Sequence, residues 1–250
     1  MFMRLVQMKL EPEHVPAFHR NYDEKVIPLL RDTPGCLYAS LLSSTHAPGD
    51  CISFTLWDKP QSAEHYEHGG LFDRLMDGVN EYLAPSSEWR VHLTENLTME
   101  YNPVPEAPRI DAYEIALTDQ DKSIPAENAL FVRIVAPELR PDMAPEFQHI
   151  YNTEILPVLR GVPGFRNGYL SRNDADHSKF LSITLWDSGA QAAAYESSGL
   201  FRRLTDRMKH TFSDIYQWKM QMQNEKRGQT PVAEHLSVEG YAVITGKRFV

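Results

Sequence analysis

Two short runs carry the side chains best suited to chemistry. In the stretch Cys51–Trp57, strand alternation places Ser53, Thr55 and Trp57 on one face and Ile52, Phe54 and Leu56 on the other. Shortly after it, Ala63, Tyr66, Glu67 and Gly70 fall on one side of a helix, so Tyr66 is expected to face inward. An indole offers a flat apolar face and one N–H donor, and a phenol adds a hydroxyl that donates or accepts. Together they suit a planar ligand bearing oxygen. A second set has the same spacing: Ser182, Thr184 and Trp186, then Tyr195 within Ala192–Gly199. Trp57 and Trp186 can equally be packing posts, whose truncation to alanine would cost about 3–5 kcal/mol.

Tyr22 and Tyr151 add a hydroxyl to each set. Arg4 and Arg133 lie on an early strand of each copy, opposite Leu5 and Ile134. A buried arginine needs a partner. Two are open: a carboxylate across the seam between the copies, or an anionic substrate. Arg74 with Asp77, and Arg203 with Asp206, have the spacing of solvated helix ion pairs.

Histidine would be the natural base near neutral pH. His65 and His68 point away from the Tyr66 side and become Ala194 and Ser197 in the second set. His14 and His19 become Met143 and Gln148. No cluster has zinc-like spacing, and no glycine loop follows a strand to cradle phosphate, so no metal or cofactor is expected. Cys36 and Cys51 are replaced together by Phe165 and Phe180, which reads as cross-strand neighbourhood on one face. Buried packing thiols fit this better than a redox pair.

The two sets exist because the chain is written twice. Sliding it by about 129 positions lays Met1–Glu95 over Leu130–Asn224, with about thirty identities where chance would give about six. Each copy reads β-α-β-β-α-β. Met3–Lys9 is a strand, and Val15, Phe18, Tyr22, Val26, Leu29 and Leu30 form one apolar helical stripe. Pro28 should kink that helix, and Pro34-Gly35 should end it. Leu37–Ser43 and Cys51–Trp57 form a hairpin. Asp58 is a plausible N-cap for a helix that breaks or bends at Gly69-Gly70 and resumes through Leu71, Phe72, Leu75, Val79 and Tyr82, with Trp89–Glu95 as the fourth strand. Two helices over four antiparallel strands is the ferredoxin-like arrangement, an α+β class. Ile110–Leu117 looks like an added strand that ties the copies together. The expected divisions are 1–100 and 129–224 for the copies, 101–128 for a connector with an added strand, and 225–250 for an extension with another.

Net charge is −9, from 25 basic against 34 acidic residues, which disfavours a general grip on nucleic acid phosphates. No apolar run approaches a membrane span, and the first residues alternate rather than form a leader. A cytoplasmic protein is the expectation.

The helix ending in Pro34-Gly35-Cys36-Leu37, the strand ending in Leu56-Trp57-Asp58 and the helix Ala63-x-x-Tyr66-Glu67-x-x-Gly70-Leu71-Phe72 resemble the antibiotic-biosynthesis monooxygenase domain of the dimeric α+β barrel superfamily. Members usually pair two single domains sheet against sheet. The resemblance therefore implies tandem ferredoxin-like domains closing a dimeric α+β barrel inside one chain, a pseudo-dimer that could itself form a homodimer. It also implies pockets between sheet and helices. The implied activity is cofactor-independent oxygenation of a planar phenol or quinol, with molecular oxygen as co-substrate. Trp57, Tyr66 and Tyr22 (Trp186, Tyr195 and Tyr151 in the second copy) would do the chemistry. Ser53, Thr55 and Arg4 (Ser182, Thr184 and Arg133) would bind substrate. Many relatives carry histidine where this chain has Tyr66 and Tyr195, which removes a familiar base. A non-catalytic small-molecule-binding or stress-related module is the alternative. Haem-degrading relatives place a ligating histidine where this chain has Met76 and Thr205, so haem chemistry is disfavoured.

Overall fold

The computed structural model describes residues 1–47, 49–93, 99–118, 131–173, 175–214 and 239–249. The first copy contains β1 (Phe2–Lys9), α1 (Val15–Asn21), a π-helical turn (Tyr22–Val26), α2 (Ile27–Arg31), β2 (Cys36–Ser44), β3 (Asp50–Trp57), α3 (Pro60–His68) and α4 (Leu71–Asp77). Then follow β4 (Pro85–Leu93), β5 (Met99–Pro105) and β6 (Arg109–Thr118). The second copy repeats the pattern with β7 (Phe131–Val135), α5 (Ala144–Ile150), a π-helical turn (Tyr151–Ile155), α6 (Leu156–Arg160), β8 (Phe165–Asn173), β9 (Phe180–Trp186), α7 (Gly189–Ser197) and α8 (Leu200–Met208). β10 (Glu239–Arg248) comes last. No helix among the described residues is long and apolar enough to cross a membrane.

Eight strands close a barrel in the order β1-β3-β2-β10-β7-β9-β8-β6. The expected α+β pseudo-dimer is what the chain builds. β6 pairs with β1 of its own copy and with β8 of the other, and β10 pairs with β7 and β2. The added strand is thus the fourth strand of the first sheet as well as the tie between copies. Of the stretch expected to be that fourth strand, Trp89–Glu95, residues Trp89–Leu93 instead belong to β4, which among the described residues pairs with β5 in a separate two-stranded sheet; Thr94 and Glu95 lie outside the described residues.

Period-two patterning sends each strand's residues to two different cores. Met3, Leu5, Ile52, Phe54, Leu56 and their counterparts fill the barrel interior. The opposite faces pack under helices in two separate clusters, one for each copy. Cys36 and Cys51 both lie in the helix-covered cluster, so they share a face as expected. They are not neighbours. Cys36 pairs with Trp57, whereas Cys51 pairs with Ser43 at the far end of the hairpin, and seven residues of strand span roughly 23 Å. No disulfide can bridge that distance. Burial pushes the Cys36 thiol up to about 12 and the Cys51 thiol up to about 11, so both stay protonated and inert.

The kink expected at Pro28 takes a specific form. One turn ahead of it the helix widens into the π-turn Tyr22–Val26, with the Ile27 N–H returning to the Tyr22 carbonyl. Pro28 then stands in the first turn of α2, where its missing N–H costs nothing. Pro157 repeats the arrangement behind Tyr151–Ile155. α3 starts at Pro60 with Lys59, not Asp58, at the N-cap. Gly70 and Gly199 turn left-handed to break the second helix in each copy. The Arg74 guanidinium donates to the Gly70 carbonyl across that break, rather than pairing with Asp77.

Gly35 and Gly164 end the first helix with φ of +85° and +83°. A Cβ on Gly35 would fall 2.4 Å from Ser62 Oγ and 2.6 Å from Asp58 Oδ1, and one on Gly164 would fall 2.4 Å from Gln191 Cδ. Gly35→Ala and Gly164→Ala should each cost about 1–3 kcal/mol and lower Tm by several degrees in thermal denaturation. An unchanged Tm would show that these turns relax freely.

Candidate functional site

Each copy has a cavity between its sheet and its helices. The first is lined by Arg4, Tyr22, Ser53, Thr55, Tyr66, Phe72 and Met76 among others, and the second by Arg133, Tyr151, Ser182, Thr184, Tyr195, Phe201 and Thr205. Strand alternation brings Arg4, Ser53 and Thr55 to the helix-covered face. The antiparallel register sets Arg4 opposite Thr55 and Arg133 opposite Thr184.

The tryptophans stand behind the cavities, not in their walls. Trp57 and Trp186 are completely buried. Each indole N–H donates to the threonine two residues earlier, Trp57 to Thr55 Oγ1 and Trp186 to Thr184 Oγ1, both at 2.9 Å. Those hydroxyls donate in turn to the Arg4 and Arg133 carbonyls. One face of each indole lies against a tyrosine ring, Tyr66 or Tyr195, with centroids 5.1 Å apart. The expectation that Trp57 and Trp186 stack directly on a ligand is therefore corrected. Their faces and donors are already engaged, and Tyr66 and Tyr195 present the aromatic surface instead.

Tyr66 and Tyr195 face inward, as the helical count requires, and line their cavities. Their hydroxyls have no hydrogen-bond partner among the described residues. Burial raises both pKa values well above the ordinary phenol range, opposed in part by the neighbouring guanidinium. They are donors, not bases. Tyr22 is more committed. Its hydroxyl donates to the Ser40 carbonyl at 3.2 Å and lies 2.7 Å from Ser53 Oγ, from which it accepts. Tyr151 meets Ser182 Oγ at 2.9 Å. The π-turn that begins at each of these tyrosines lies in the wall of the site, where such distortions are common.

The arginines give the cavities their charge. Arg4 and Arg133 are 2% and 3% exposed. Each guanidinium lies over a phenylalanine on the covering helix, 4.1 Å from the Phe72 centroid and 4.0 Å from that of Phe201. Their carboxylate partners are local. Arg133 Nε donates to Glu196, and Arg4 Nε lies 3.3 Å from Glu67 Oε2 but off the axis of a hydrogen bond. The expected ion pair across the seam is thus replaced by one within each copy. Burial pulls the Arg4 pKa below its usual value, with Glu67 opposing. Arg4 Nε and Nη2, and Arg133 Nη2, have no hydrogen-bond partner among the described residues. A buried charge left partly unpaired is costly and uncommon, and it is a ready site for an anionic oxygen.

As they stand the cavities are small, about 30 Å³ in the first copy and about 40 Å³ in the second. That is room for about one water, so a fused-ring ligand must displace side chains to enter. No histidine lines either cavity among the described residues. His65 and His68 are exposed, as expected. Glu67, Glu196, Phe72 and Phe201 escaped assignment as site residues from the sequence. Their recurrence in both copies, with Glu67 on the same helical side as Tyr66, was the available signal.

The family model described as antibiotic biosynthesis monooxygenase matches residues 1–77 and again 130–207. No curated protein matches the chain in sequence. Several solved structures share the architecture. A candidate monooxygenase from Lactobacillus acidophilus NCFM aligns with TM-score 0.65 at 8% identity, over 99% of this chain and 95% of its own. One from Fusobacterium nucleatum aligns with TM-score 0.66 at 9% identity, over 99% and 94%. A protein described as anthrone oxidase-like aligns with TM-score 0.59 at 13% identity, over 99% and 92%. At these identities the likeness is one of fold.

Burial of Tyr22, Tyr66, Tyr151 and Tyr195 carries a pH signature. Their folded pKa values are raised, so the native state holds protons that the unfolded state releases above about pH 10. Stability should be level below that pH and fall as pH rises beyond it. Alkaline denaturation followed by tyrosinate absorbance should show these four ionising only as the protein unfolds. Early, non-cooperative ionisation of all tyrosines would contradict the assignment.

Proposed function

The chain belongs to the antibiotic biosynthesis monooxygenase family, and we propose that it is a cofactor-independent monooxygenase acting on planar phenols or quinols in its two helix-covered cavities. The observation that carries this reading is the convergence, in both copies, of an unpaired buried guanidinium N–H and an unpartnered tyrosine hydroxyl on one cavity. That pair of donors suits a phenolic oxygen and suits its anion better. Charge-assisted hydrogen bonds in a dry site are far stronger than those to a neutral oxygen. Docking against Arg4 or Arg133 thus lowers the substrate's own pKa, and its proton leaves to water without a strong protein base. The electron-rich anion reduces oxygen by one electron. The radical pair joins at carbon as a hydroperoxide, which loses water to leave a carbonyl. One oxygen atom ends in the product and the other in water, with the substrate supplying the electrons.

In this scheme Trp57 and Trp186, anchored by the Thr55 and Thr184 hydroxyls, set the Tyr66 and Tyr195 rings from behind by direct ring packing. Tyr22 and Tyr151 fix the serines of the cavity floor. Phe72 and Phe201 hold the guanidinium flat and keep water from it. The absence of histidine from the cavity linings favours a second reading, a binding module that holds the same ligands without turnover.

Oxygen consumption by metal-stripped protein with a panel of anthrones and quinols separates the two. Uptake should exceed the no-protein rate and fall by about a hundredfold in the Arg4→Met/Arg133→Met double variant, the loss expected for an oxyanion donor. Tyr66→Phe with Tyr195→Phe should slow turnover without unfolding the chain. If the panel gives no uptake while calorimetry still detects ligand, the binding module is the right reading.

A further inference from the structure

The two cavities have the same polar equipment except at one position. Lining residues that differ between them mostly exchange one apolar side chain for another: Met8 for Pro137, Val26 for Ile155, Val79 for Met208. The exception is Met76 in α4, whose counterpart in α8 is Thr205. Thr205 is 5% exposed and lines the second cavity. Its hydroxyl takes part in no hydrogen bond among the described residues. A helical threonine ordinarily returns its hydroxyl to the carbonyl four residues back. Thr153, in the π-turn, does so to His149 at 2.8 Å, and Thr33, just past the end of α2, does the same to Leu29 at 2.7 Å. A hydroxyl on the cavity wall that forgoes that bond is open to a ligand there.

Its place in the cavity follows from the helix. Phe201, beneath the Arg133 guanidinium, lies four residues before Thr205 in the same continuous helix. Residues four apart share a face, so Thr205 lies one turn further along the cavity, roughly 6 Å away. Phe72 and Met76 bear the same relation in α4, with a thioether where the hydroxyl would be.

We propose that the two copies take different ligands: the second binds planar phenols carrying a further oxygen about two fused rings from the first, held by Thr205, and the first binds phenols whose far edge is apolar. This rests on the reading of the cavities as planar-phenol sites. The specificity-determining residue is Thr205, which touches the ligand edge remote from Arg133. A tandem chain permits such division of labour, since each half is free to change alone.

Calorimetric titration with 1-naphthol and 1,5-dihydroxynaphthalene tests the assignment. In the full-length wild type, 1-naphthol should fill two sites of similar affinity. The diol should fill two sites that differ by about tenfold, the worth of one hydrogen bond. The near-isosteric Thr205→Val should remove the tighter class for the diol alone. Met76→Thr, in the other half, should convert the weaker class to the tighter one, which keeps the test alive if Thr205→Val folds poorly. If the diol fills two equal sites in the wild type, or if Thr205→Val leaves its two classes intact, the assignment to Thr205 is overturned while the phenol reading stands. If neither compound binds, the phenol reading falls and this inference with it.

Discussion

Closure of the barrel is the constraint on which the rest of the structure depends. Each three-strand sheet, β1-β3-β2 and β7-β9-β8, needs a fourth strand, and the strand that supplies it also pairs with the other copy. Without β6 and β10, the interior residues Met3, Leu5, Phe54, Leu56, Ile183 and Leu185 would face water rather than one another. Because one face of every strand is committed to that interior, the other face is committed to the helices. A slip of one residue would exchange the two sets. The register that buries Leu5 and Phe54 in the barrel is the same register that delivers Arg4 and Thr55 to the cavity.

Within each helix-covered layer the organising element is a charge that is not fully satisfied. The Arg4 and Arg133 guanidinium groups are held by an aromatic face and a nearby glutamate, while the threonine that accepts the tryptophan N–H anchors the arginine's backbone carbonyl. The side-chain contacts fix the guanidinium in place but do not use all of its donors among the described residues. An arginine serving structure alone would be expected to use them. The chain carries this arrangement twice, with Arg, Trp, Tyr, Glu and Phe each returning at the same spacing. That recurrence is what makes a ligand a better account than a packing accident.

Much of this was legible in the sequence. The duplication, the ferredoxin-like order and the inward turn of Tyr66 follow from spacing alone, because period and burial are local properties. What was misread depended on distance between segments. Cys36 and Cys51 share a face, but face says nothing about position along a hairpin, and they stand at opposite ends. Trp89–Glu95 has the length and alternation of a central strand, yet pairing partners are decided by the whole sheet, and β6 took the place expected for it. The seam was the natural place to look for an arginine's partner. The answer, Glu67, was the residue next to Tyr66 on the inward side of the same helix. Trp57 looked like the ligand platform because indoles usually are, and only the packed structure shows Tyr66 in front of it.

A barrel closed within one chain has a consequence that a barrel closed between two chains lacks. Two separate protomers meet by mass action, so dilution parts them and any change in one appears in both. Here the halves are held at an effective concentration set by the connecting segment. Their pairing is indifferent to how much protein is present, and the chain behaves as an obligate heterodimer encoded by a single message.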